Sequence, residues 1–154
     1  MNIAKDKYII VELIPSHSNS KVGKIVQLSA LKIENLQLIE RFDYRLSDDL
    51  IENKDLLNMI SYDKESFIYT NDSKEILREF KKFSKGIPLL IIDNFYTRDY
   101  LKELKNKKES IFEYLNLNIT DDVFEKLIKK YNLEPSNHFV DLLYEGLIYE
   151  SNNL

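Results

Sequence analysis

Apolar residues gather first at Tyr8–Ile14, where Glu12 is the single charged position and Pro15 ends the run. A stretch rich in Ile and Val, closed by a breaker, reads as a strand buried on both faces. After a polar turn, Lys24–Ile33 reads as a second strand. Ile25, Gln27, Ser29, Leu31 and Ile33 share one side, and Val26, Leu28 and Ala30 the other. Glu34 and Asn35 make a tight turn into a third strand. There Leu38, Glu40, Phe42, Tyr44 and Leu46 alternate with Gln37, Ile39, Arg41, Asp43 and Arg45. That strand should be half exposed at a sheet edge, its charges discouraging edge-to-edge pairing. Three strands joined by short turns predict an antiparallel meander.

The period changes after Ser47. Asn53–Ser61 is a short helical candidate with Leu56, Leu57 and Ile60 on one side. Asn71, Asp72 and Ser73 offer caps for a helix from Lys74 to about Phe83, whose stripe is Ile76, Leu77, Phe80 and Phe83. Gly86 stops it, and Pro88–Asp93 reads as a second fully buried strand. A helix between buried strands predicts a right-handed crossover and parallel pairing with Tyr8–Ile14. Further helices are expected over Thr97–Leu104, from a cap at Thr120 to Tyr131, and after Pro135 and Ser136. A short strand is expected at Ser110–Leu115. Residues 1–154 are read as one domain.

Composition narrows the chemistry. At 44% hydrophobic and 31% charged, the chain suits a globular domain with a real core. The net charge of −4 gives no bulk reason to expect nucleic acid. The absence of cysteine removes disulfides, thiol catalysis and thiolate metal sites. It also fits a reducing, cytoplasmic setting. Three glycines, at 23, 86 and 146, leave no Gly-rich phosphate cradle. No signal peptide and no membrane span are expected.

Several local patterns resemble the DnaQ-like (DEDD) 3′→5′ exonuclease family. Lys24–Ile33 is similar to that family's second strand and Leu38–Phe42 to its third. Leu56–Ile60 is similar to its short helix before a Gly-Ile turn, with Ser61 in place of the Gly. Glu75–Phe83 followed by Ile87–Asn94 resembles its helix leading into a strand that ends His-Asn, and Leu133–Leu143 its last loop and helix. The resemblance implies an α/β, RNase H-like fold, with a mixed five-stranded sheet flanked by helices.

It also implies a site. The family gathers four carboxylates around two divalent metals, Mg²⁺ or Mn²⁺, which activate water and stabilise the leaving oxygen. Its strand motif Asp-x-Glu falls on Glu12 and Ile14. Its third acid falls on Arg98, with Asp99 beside it, and its last acid on Asp141. The general-base His falls on Ser136, with His138 nearby. Glu12, Asp99 and Asp141 are thus the remnant catalytic candidates, and Glu12 and Asp141 the metal candidates if the site survives. An aliphatic side chain and a guanidinium at two ligand positions work against hard-cation coordination. No cofactor is therefore expected. The expected role is binding, to an unknown protein partner or to single-stranded nucleic acid. The alternatives are a weakly active metal-dependent exonuclease, and an interaction module or homodimer pairing through the third strand.

Plainer roles compete at each position. Glu12 is better explained by an ion pair with Arg98 or a Lys, and Asp141 equally by the dipole of a helix first turn. His17 and His138 suit solvated loop residues. The lysines at 81, 82, 85, 102, 105, 107 and 108 suit the wet faces of helices, and the ten Tyr and eight Phe mostly the core.

Overall fold

The computed structural model describes residues 1–60, 66–118, 122–135 and 138–152, with backbone alone for 58–60. Ser61, Thr120 and Ser136 lie outside the described residues, as does the side chain of Ile60. The strands are β1 (Lys7–Pro15), β2 (Ile25–Glu34), β3 (Gln37–Leu46), β4 (Ile68–Thr70), β5 (Leu89–Ile91) and β6 (Lys108–Ser110). The helices are α1 (Lys54–Ile60), α2 (Ser73–Phe83), α3 (Thr97–Tyr100), α4 (Ile111–Leu115), α5 (Val123–Tyr131) and α6 (Phe139–Asn152).

The sheet runs β4-β3-β2-β1-β5-β6. The meander β1-β2-β3 is antiparallel, and β5 joins β1 in parallel, Ile9 beside Leu89 and Val11 beside Ile91. The sheet is mixed, as expected, but has six strands rather than five. The additional one is β4, parallel to β3 over Tyr44–Leu46. It covers the last third of β3, so that strand is open only along its first part. The expected strand at Ser110–Leu115 is instead the end of β6 followed by α4. Beyond Tyr100 the expected long helix breaks into turns.

Alternation along β1 and β2 sends their side chains into two separate cores. On one face Tyr8, Ile10, Leu31, Ile33 and Leu90 meet α4, α5 and α6 through Leu115, Leu127, Val140, Leu143 and Leu147. On the other, Ile9, Val11, Leu28, Ala30 and Phe42 meet Ile76 and Phe80 of α2 and Leu101 beyond α3. Local chemistry sets the helix ends. The Asp72 carboxylate accepts the Lys74 amide at 2.9 Å to open α2. Asn116 and Asn132, in the left-handed region at φ 53° and 52°, close α4 and α5. Gly146 lets α6 approach closely, because a Cβ there would meet Leu115 and Tyr131 side chains at 3.0 Å. No helix among the described residues is long and apolar enough to cross a membrane.

Candidate functional site

Strand register builds the site in rows. Toward the start of β1, Ile10 lies beside Leu31 and Leu31 beside Arg41. Two residues on, Glu12 lies beside Ser29 and Ser29 beside Asp43. Two further, Ile14 lies beside Gln27 and Gln27 beside Arg45. All nine face the side covered by α6. The face is thus apolar at one end of β1 and polar at the other. The polar side chains are well enclosed: Gln27 is 1% exposed, Ser29 2%, Asp43 8% and Arg45 0%.

Helix α6 covers the apolar end, packing on Tyr8, Ile10, Leu31 and Ile33, and its first turn reaches Arg41. Arg41 Nη1 donates to Asp141 Oδ1 at 2.7 Å and Nη2 to Oδ2 at 3.3 Å. Its Nε donates to Asp43 Oδ2 at 3.4 Å. One guanidinium therefore bridges a strand carboxylate and a helix carboxylate. Burial alone would lower the Arg41 pKa, but the bond to Asp141 and the charges of Asp141 and Asp43 raise it. Such a partly exposed pair adds about 1 kcal/mol or less. Each buried leucine adds about 1.5–3 kcal/mol, so packing holds α6 in place and Arg41 sets its register.

Glu12 has a different setting. Loss of water around it, and then the charge of Asp43, push its pKa up to about 7. Tyr96 lies within reach of its field, and its hydroxyl is pushed up chiefly by burial. His138 Nδ1 stands 4.0 Å from Asp43 Oδ1. The His138 ring stacks on Phe67, and its Nε2 lies 3.3 Å from Ser66 Oγ. Among the described residues, four buried atoms of these rows have no hydrogen-bond partner: Gln27 Oε1, Ser29 Oγ, Asp43 Oδ1 and Arg45 Nε.

The remaining sequence candidates lie apart. Arg98 does not pair with Glu12 or Asp141. It grips Asp93 through two bonds of 2.9 and 3.0 Å, closing a loop of six residues. Asn94 Oδ1 accepts the Tyr96 and Thr97 amides and so caps α3. Asp99 is exposed, accepts from the Ser20 hydroxyl and faces Lys102 at 3.6 Å. His17 is an exposed turn residue whose Nδ1 accepts the Asn19 amide. Sequence reasoning singled out Glu12 and Asp141 but missed their neighbours Asp43 and Arg41. The signal was present: Arg41, Asp43 and Arg45 alternate, so one face of a strand carries three charges. These charges face α6 and β4, and Asp43 and Arg45 are buried rather than lining an exposed edge.

No family model and no curated protein sequence matches the chain. Solved structures do match. The zinc-bound complex of E. coli exonuclease I with single-stranded DNA superposes with a TM-score of 0.59 at 12% identity, covering 95% of this chain and 40% of that one. A product-bound exonuclease I gives 0.61 at 12%, covering 96% and 43%. The fold is similar to that of part of exonuclease I. A third structure, exonuclease I with the SSB C-terminal segment, gives 0.58 at 12%, covering 96% and 41%. The chain thus spans about two fifths of the exonuclease I chains it matches. At this identity the likeness is one of architecture, an RNase H-like sheet with the α2 and α6 layers on either side.

Proposed function

We propose that this chain is an exonuclease-fold protein that has lost two-metal hydrolysis and acts by binding, with nucleic acid as its ligand. The observation that carries this is the Arg41 bridge. Both oxygens of Asp141 accept from a guanidinium, leaving that carboxylate neutralised and directed away from any cation. Ile14 offers no ligand atom, and Arg98 is committed to Asp93. Among the described residues no three His, Cys, Asp or Glu side chains are grouped to hold a metal ion. The donor set does not fit two hard cations.

A single observation favours a second reading. Asp43 Oδ1 is buried, has no hydrogen-bond partner among the described residues, and Asp43 is close enough to Glu12 to raise its pKa. One divalent ion between Glu12 and Asp43 would satisfy both.

Thermal unfolding with millimolar Mg²⁺ or Mn²⁺ separates the two. A native site at a hundredfold excess over Kd adds about 2.7 kcal/mol. The expected result is no shift with either ion, and no degradation of a labelled oligonucleotide. A shift that vanishes in Glu12→Gln would establish a surviving site. Metal-dependent degradation abolished by Glu12→Gln and Asp141→Asn would overturn the proposal.

A further inference from the structure

On the face of the sheet opposite Glu12, helix α2 and the turns after α3 enclose a groove. It consists of three adjoining cavities of about 400, 330 and 410 Å³. The first two share Lys74, Leu77 and Glu103, and the last two share Lys81, Glu103 and Leu104, so the groove is continuous. Lys21, Lys24, Lys74, Lys81, Lys85 and Lys105 line it from end to end. All are exposed, and none has an ion-pair partner among the described residues. Its acids are Glu103 and Asp99, and Asp99 is already engaged by Ser20 and Lys102. For a chain of net charge −4, that is a strong local concentration of positive charge.

The spacing is regular. Lys74, Lys81 and Lys85 follow one side of α2 and the turn beyond it, a line of roughly 16 Å at helical rise. Opposite them, Lys105 stands on a loop that is held firmly. Asn106 Nδ2 donates to Ser84 O at 2.6 Å and to Ile87 O at 2.8 Å, and Lys108 Nζ to Leu104 O at 2.6 Å. The wall is therefore formed before any ligand arrives. Leu77 and Leu104 floor the groove, and it presents no exposed aromatic ring for stacking.

We propose that this groove binds a nucleic-acid strand by its phosphates, without reading its sequence. The inference rests on the reading that the chain acts by binding rather than cutting. Lysines act as point charges toward phosphate. A linear polyanion matches a line of them that runs the length of the groove, from Lys21 and Lys24 past Lys74 and Lys81 to Lys85 and Lys105.

The test is fluorescence anisotropy of labelled dT20 and dA20 with the whole chain. Both should bind with the same affinity within twofold. The logarithm of affinity should fall with the logarithm of salt with a slope of about −3, for roughly four phosphate contacts at 0.7 each. The Lys81→Glu/Lys85→Glu/Lys105→Glu variant should bind more than tenfold more weakly at unchanged Tm, and Lys129→Glu, an exposed charge reversal on α5 away from the groove, should bind within twofold of the parent. If the triple variant binds within twofold of the parent, the strand lies elsewhere and the groove assignment falls, while binding itself stands. If the parent binds neither oligonucleotide at low salt, the nucleic-acid reading falls with it, and the metal titration still judges the loss of catalysis. If a glutamate decamer displaces dT20 at equal charge concentration, the groove is a site for acidic protein segments and the proposal is overturned.

Discussion

The two faces of the central sheet handle charge in opposite ways. Under α2 the sheet is mostly dry: Val11, Leu28, Ala30 and Phe42 meet Phe80 and Ile76, and the strand charges on that face, Lys32 and Glu40, pair with each other at its rim, Lys32 Nζ lying 4.2 Å from the Phe83 ring. Under α6 the same three strands are apolar at one end and polar at the other. Glu12, Ser29 and Asp43 sit in one row, and Arg41 joins the row to the helix. Adjacent residues of one strand, Val11 and Glu12, thus enter environments of different physics. A polar row inside a protein costs stability unless every atom is paired, and here several are not. Both faces gain from apolar burial, and the polar row subtracts from the α6 face alone.

The largest test of that contrast is Phe80→Ala. Phe80 is fully buried against Phe42 and Phe83, and its truncation should cost about 3–5 kcal/mol in urea unfolding. A cost below about 1 kcal/mol would break the comparison. The next test has the opposite sign. Glu12 ordinarily titrates at 4.5 but titrates at about 7 in the fold. Between those values the folded chain keeps a proton that the unfolded chain has released. Its contribution to stability therefore falls as pH rises through the window and is level above it. The loss is on the order of 3 kcal/mol. Glu12→Gln should remove this part of the pH dependence and gain up to that amount at pH 8 relative to the parent. Equal pH profiles for the two proteins would show Glu12 to be well paired.

Smaller effects sharpen the picture. Arg41→Met should cost about 1–2 kcal/mol, since it frees two carboxylates at once while keeping most of the side chain's volume. An unchanged Tm for that variant would show that α6 is seated by its leucines alone. The smallest is Gly86→Ala, at the lip of the lysine groove. Gly86 has φ 73° with open space around it, so only backbone strain of about 1 kcal/mol is expected.

What the sequence displayed and what it hid follow the same physics. Tyr8–Ile14 and Lys24–Ile33 were legible because both faces of those strands are covered, and their short length, Ile and Val content and flanking turn residues favour strand over buried helix. Strand β4 was not, because Ile68 and Tyr69 are exposed and three residues carry no period. Helix α4 was read as a strand because Ile111–Leu115 is too short to show a helical stripe. At the site, Glu12 and Asp141 stood out as acids in place. Their surroundings did not, because alternation in β3 defines two faces without saying which one a distant helix will cover. Arg41 and Asp141 are 100 residues apart, and nothing local couples them.

That separation has a temporal side. A chain made at about 5–20 residues per second completes β3 roughly 5–20 s before Asp141 is added. Through that interval the meander exists without its α6 cover, with Tyr8, Ile10 and Leu31 open to solvent and to other nascent chains. Arg41, Asp43 and Arg45 stand on that same uncovered face. Charged side chains on that face are costly to bury against another sheet, so residues that burden the finished fold act as gatekeepers while it is being made.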